Sequence, residues 1–102
     1  MLLVVDVGNT QTHFGTFAGT QLVEHWRFAT VRTSTADEIG AALRSLLGLR
    51  GLGFEDLTAS IVSSTVPQLE PEWLTVGERY LGHHMLAVGP GIRTGLPIRY
   101  DN

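Results

Sequence analysis

The period of the hydrophobic pattern changes at Thr35, and this limits the fold more than any other feature of the chain. Before Thr35 the apolar residues form short runs or alternate. Leu2-Leu3-Val4-Val5 is a continuous run closed by Asp6 and Gly8-Asn9, which reads as a strand buried on both faces followed by a tight turn. Thr12 to Phe17, rich in aromatic and β-branched residues, predicts a second strand, and Gly19 marks the next turn. Leu22 to Thr30 predicts a third strand. Period two puts Leu22, Trp26 and Phe28 on one face and Val23, His25 and Arg27 on the other. Short turns make these three strands an antiparallel meander.

After Thr35 the spacing becomes helical. Thr35-Ala36-Asp37-Glu38 fits a capping box, Ile39, Leu43, Leu46, Leu47 and Arg50 follow at 3.6-residue spacing, and Gly51 or Gly53 ends the helix. Thr58 to Ser63 predicts a fourth strand centred on Ile61-Val62. Pro67 opens a second helix with the stripe Leu69, Trp73, Val76 and Tyr80, stopped by Gly82. Met85 to Val88 predicts a fifth strand, and a loop follows from Gly89. The order β-β-β-α-β-α-β gives an α/β fold. Its mixed sheet has strands four and five parallel to strand one and helices on its faces. This order is found in ribonuclease-H-like domains.

Composition removes several kinds of chemistry. All seven basic residues are Arg, so there is no phosphate-loop or Schiff-base Lys. Cys is absent, which excludes disulfides, thiolate catalysis and cysteine-bound zinc. A net charge of −3 argues against nucleic acid or an anionic membrane as the partner. The first apolar run lacks a basic flank, and no stretch approaches membrane-spanning length, so a cytoplasmic location is expected. At 43% apolar residues a packed core is within reach. Charged residues, at only 17%, suggest that some apolar surface is meant for a partner.

The chemistry concentrates in the first turn. A carboxylate at Asp6, ending a buried strand, can hold Mg²⁺ against the phosphates of ATP. Gly8 lets the backbone approach a phosphate, while Asn9, Thr10 and Thr12 offer side-chain donors and the turn amides offer more. An acid beside a phosphate site needs a bridging cation, because like charges otherwise repel. The competing reading is a β-hairpin whose Gly-Asn turn is local chemistry only.

Asp6-Val7-Gly8-Asn9-Thr10 resembles the first phosphate motif of the sugar-kinase superfamily, which includes actin and the heat-shock-70 proteins. Three further segments resemble one family within it, the type III pantothenate kinases, also described as Bvg accessory factor-like. They are His25-Trp26-Arg27-Phe28-Ala29-Thr30, Ser63-Ser64-Thr65-Val66-Pro67, and the run from Gly89 to Asn102 with its Gly-Pro-Gly-Ile-Arg-Thr-Gly-Leu-Pro start. One mild departure is Gln11, where many members carry Asn.

The resemblance implies phosphorylation of pantothenate by ATP, the first step of coenzyme A synthesis. It also implies Mg²⁺, a monovalent cation (K⁺ or NH₄⁺) and a homodimer. It places ATP on Asp6, Val7, Gly8, Asn9, Thr10, Gln11, Thr12 and His13, the metal on Asp6, and pantothenate on Tyr100. Residues 1–88 then form an ATP-binding domain, and 89–102 a substrate-site loop leading to a second domain. Members are more than twice this length, and their Gly-Ala-Asp-Arg motif, whose Asp is the proposed base, comes beyond Asn102. No catalytic residue is therefore expected within the chain, which reads as the front part of a longer protein without activity of its own. A regulatory alternative comes with the same resemblance: relatives are described as accessory factors for transcription activation, working here through protein contacts.

Other polar residues invite simpler readings. Adjacent His83 and His84 would point to opposite faces on a strand and so do not chelate together; they read as a solvated or strand-entry pair. His13 is either a phosphate-site residue or a half-buried strand histidine. Gly89-Pro90-Gly91 follows a strand like a dinucleotide loop, but no helical pattern comes after it. Arg93 and Arg99 read as solvated cations, whereas Thr94 and Tyr100 sit in a Gly/Pro loop that would present them rigidly.

Overall fold

A computed structural model describes residues 1–89. The expectations for Arg93, Thr94, Arg99 and Tyr100, and for the loop they share, lie outside the described residues. The strands are β1 (Leu2–Val7), β2 (Gln11–Ala18), β3 (Gln21–Ala29), β4 (Ala59–Ser64) and β5 (Leu86–Val88). The helices are α1 (Ala36–Gly48) and α2 (Glu70–Val76), the latter extended by a π-helical turn at Gly77–Leu81. In the sheet the order is β3-β2-β1-β4-β5, with β1 antiparallel to β2, β2 antiparallel to β3, and β4 and β5 parallel to β1. This is the mixed five-stranded α/β sheet expected from the period change.

Both helices cover the same face. Leu3, Val5 and Val7 of β1, Phe14 of β2 and Val62 of β4 pack there against Ile39, Leu43 and Leu47 of α1 and Trp73 and Val76 of α2. Phe14 stacks on Trp26 at 4.9 Å between ring centroids and meets Phe28 edge-on at 6.2 Å, so β3 is bound to the core by aromatic packing. The opposite face carries a smaller cluster of Val4 and Phe17 with Leu2 and Leu22.

The helix starts are tightly specified. Thr35 Oγ1 accepts the Glu38 N–H at 3.2 Å, and the Thr35 N–H donates to Glu38 Oε1 at 2.8 Å, completing the predicted capping box. Glu72 of α2 accepts the Ala36 N–H at 2.8 Å, so one helix caps the other. Gly51, at φ +74°, ends α1 while the Leu52 N–H returns to the Leu47 carbonyl at 3.0 Å. Of the two glycines that could end this helix, Gly51 is the one used.

Three local expectations are corrected. The pairing of β2 with β3 slips between Thr16 and Phe17: Thr16 faces Glu24 while Phe17 faces Leu22, leaving Val23 as an extra residue, 47% exposed. The bulge moves Leu22 to the second cluster, on the face opposite Trp26 and Phe28. Pro67 lies in the turn before α2, and Pro71 occupies the first helical turn instead. The second helix loses α geometry after Val76. Tyr80 therefore leaves the core stripe, lays its ring over Gly40 and donates its hydroxyl to Asp37. His83 and His84 precede β5 at the entry to the strand, as expected. They part there, His83 Nε2 meeting Ser60 Oγ at 2.7 Å and His84 Nδ1 meeting Glu78 Oε2 at 3.1 Å. Among the described residues no helix is long and apolar enough to cross a membrane.

Candidate functional site at the carboxyl ends of the parallel strands

β1 alternates Leu3, Val5 and Val7 into the core, so Asp6 must project from the other face at the end of the strand, where it is exposed. Gly8 follows, and a Cβ there would stand 3.0 Å from the Gln11 carbonyl, which already accepts the Gly8 N–H at 2.9 Å. A side chain would force this turn apart, and that explains the glycine without any left-handed backbone. No non-glycine residue among those described has positive φ, so the turn is not the type I′ hairpin that Gly-Asn chemistry alone suggests.

A recess of about 330 Å³ opens at this turn, lined by Asp6, Gly8, Thr10, Gln11, His13 and Arg27. It lies at the carboxyl end of β1 and extends over the antiparallel strands β2 and β3. The pairing register explains the lining: Asp6 faces His13 across β1 and β2, and His13 faces Arg27 across β2 and β3. An acid, an imidazole and a guanidinium thus form one row across three strands. Burial lowers the His13 pKa, opposed by the Asp6 carboxylate and assisted by Arg27 and His25.

The structure divides the eight turn residues expected to bind ATP. Asp6, Gly8, Thr10, Gln11 and His13 meet in the recess. The Val7 side chain is fully buried in the core, and its carbonyl accepts the Thr65 N–H at 3.0 Å. Thr12 is buried on the helix side, its hydroxyl bonded to that of Thr30 at 2.8 Å. Asn9 Oδ1 is held by Arg32 at 2.9 Å. The Thr30 N–H donates to the Thr10 carbonyl at 2.9 Å, so the end of β3 straps the turn from the side. Arg27 and Arg32 were not singled out from the sequence as site residues. Alternation already put Arg27 on the face away from Trp26 and Phe28, but not beside His13.

The donors suit a hard cation shared with phosphate. Asp6 offers a carboxylate, an oxygen ligand of the kind Mg²⁺ takes, and the Thr10 hydroxyl and Gln11 amide beside it can donate to phosphate oxygens. Among the described residues no three of His, Cys, Asp and Glu converge as a metal cage. A lone carboxylate fits an ion whose other ligands are phosphate oxygens and water.

The profile of the family described as Type III pantothenate kinase matches residues 2–102. The chain belongs to this family. It is 45% identical over 102 residues to the Type III pantothenate kinase of Myxococcus xanthus (strain DK1622), covering 100% of this chain and 40% of that protein. It is 48% identical over 104 residues to the Type III pantothenate kinase of Geobacter sulfurreducens, with the same coverage of 100% and 40%. The chain thus spans about 40% of the length of the curated relatives it matches. A solved structure described as a candidate N-acetylglucosamine kinase from Porphyromonas gingivalis superposes with a TM-score of 0.63 at 21% identity, over 87% of this chain and 34% of that one. That likeness shows the sugar-kinase-like fold and nothing finer.

Proposed function

We propose that the complete protein carrying this chain phosphorylates pantothenate with ATP, committing it to coenzyme A synthesis, and that this chain supplies the phosphate-side wall of the cleft. The observation that carries the reading is the recess itself. A family-matched turn brings an exposed carboxylate, a glycine forced by close approach and two polar side chains together at the carboxyl end of β1. Asp6 would hold Mg²⁺, and bound Mg²⁺ supplies neutralisation of charge on the β- and γ-phosphate oxygens. Gly8 admits the phosphates to the backbone, and Thr10 and Gln11 donate to their oxygens. The strap from Thr30 and Arg32 keeps the turn from shifting, which matters because phosphoryl transfer gains mainly from positioning and charge stabilisation.

The monovalent cation (K⁺ or NH₄⁺), the homodimer, the pantothenate contact at Tyr100 and a base beyond Asn102 complete the reading, supported by the family membership. The test is Asp6→Ala in the complete protein, assayed for pantothenate-dependent ADP release. The turnover number should fall at least about 100-fold while the KM for pantothenate stays within about threefold, because a metal ligand is lost and the acceptor site is untouched. Unchanged turnover at saturating ATP and Mg²⁺ would remove Asp6 and its turn from the phosphate site.

A further inference from the structure

Phosphate groups bring several negative charges into a recess whose first wall is itself an acid, so a fixed cation is needed besides any metal. The whole chain has no Lys, and five of its seven Arg residues lie among the described residues. Four of these five are committed or distant. Arg32 donates to Asn9, Arg50 pairs with Glu24 at 3.3 Å, Arg79 pairs with Asp37 at 3.4 Å, and Arg44 sits on the exposed side of α1, the helix covering the other sheet face. Arg27 remains. It lines the recess and is exposed, and its guanidinium acts on His13 by charge but makes no hydrogen bond or ion pair among the described residues.

We infer that Arg27 is the phosphate-gripping cation of this recess, standing opposite Asp6 with His13 between them. The inference rests on the phosphate-site reading and extends it to a residue outside the first turn. The reach is suitable: two strand spacings put the Cα atoms of Arg27 and Asp6 about 10 Å apart. A guanidinium extended from β3 then meets phosphate oxygens held from the other side by the Asp6 carboxylate through its cation. A planar fork of donors matches a phosphate edge, and Arg keeps its charge at every working pH. The placement is also rigid. Trp26 and Phe28, flanking Arg27 in sequence, are packed against the core by Phe14, and Thr30 is bonded to both Thr10 and Thr12. The bulge at Val23 lies before Arg27, leaving the register from Glu24 to Ala29 regular.

The experiment uses the complete protein and its Arg27→Gln and Arg27→Lys variants, with calorimetric binding of Mg·ATP, Mg·ADP and adenosine. Circular dichroism confirms the fold of each variant. Arg27→Gln should weaken Mg·ATP on the order of 10- to 100-fold, the effect of losing hydrogen bonds to a charged group. Adenosine binding and the KM for pantothenate should not change. Arg27→Lys should recover part of the loss at low salt and less at high salt, since it restores the charge but not the fork. If Arg27→Gln unfolds the strand, the Lys variant carries the test through the same ATP-against-adenosine comparison. The inference is overturned if either folded variant binds Mg·ATP as the wild type does. It is equally overturned if adenosine and ATP weaken together, which marks a structural role. Failure of the underlying reading looks different: the wild-type protein itself then binds neither Mg·ATP nor Mg·ADP.

Discussion

Two glycine-to-alanine substitutions of the same chemistry should move stability in opposite directions. A Cβ at Gly77 would lie 2.9 Å from Met85 Cβ, 3.0 Å from the His83 carbonyl oxygen and 3.2 Å from the Met85 nitrogen. Two of these neighbours are backbone, Met85 is fully buried, and the His83 N–H is bonded to the Gly77 carbonyl at 3.2 Å, so no side chain can swing aside. Overpacking of this kind costs about 1–3 kcal/mol, offset by about 0.4–1 kcal/mol from the reduced freedom of the unfolded chain. The net for Gly77→Ala is a loss of up to about 2.6 kcal/mol, about 1.3 kcal/mol at the midpoints. Gly48, the last residue of α1, has nothing within 4 Å of its built Cβ and no positive φ. There Ala should add about 0.5 kcal/mol through helix propensity. Urea unfolding of the 102-residue chain, followed by the fluorescence of buried Trp73, measures both; for a domain of this size the melting temperatures should fall by about 5–15 °C and rise by about 2–4 °C. If Gly77→Ala were as stable as Gly48→Ala within about 0.5 kcal/mol, the claim that α2 and β5 meet through a gap only glycine fits would be refuted.

Two more outcomes follow from particular contacts. Tyr80 donates to Asp37, which with partial burial raises its pKa above 10.0 against the opposing charge of Arg79. The stabilisation is present below the unfolded value and is lost as pH rises past the folded one. Alkaline titration at 295 nm should therefore show a late phenol that Tyr80→Phe abolishes, and an unchanged curve in the variant would remove the bond. On the proposed reading, which puts the base beyond Asn102, residues 1–102 alone should show no pantothenate-dependent ADP release. Turnover by this chain would put the base at Asp6 or Asp101.

What the sequence disclosed and what it hid divide along a physical line. Features encoded by neighbours in the chain were legible. The capping box at Thr35 and Glu38, the helical stripe of Ile39, Leu43 and Leu47, and the strand β1 with Asp6 near its end each depend on residues within a few positions of one another. The face of Leu22 was misjudged because one extra residue, Val23, reverses alternation, and nothing local to Gln21–Glu24 announces a bulge. Helical spacing puts Tyr80 in the core only if the α-helix continues through Gly77, and the π turn that begins there is invisible to periodicity.

Arg27 shows why the second half of a site is harder to read than the first. The Asp6–Thr10 turn is contiguous, so its chemistry appears as a motif. Arg27 reaches the same recess only through two registers in succession, Asp6 with His13 and His13 with Arg27. Each register depends on a hairpin, and a slip of one residue in either would turn Arg27 toward the helices and Trp26 toward the recess. The burial of Phe14 against Trp26 and Phe28 forbids that slip, because it would expose two large aromatics and bury a guanidinium without a partner. The core on one face of β3 thereby fixes the charge on the other. A substitution that loosens the aromatic packing, such as Trp26→Ala, should weaken phosphate binding without touching the recess.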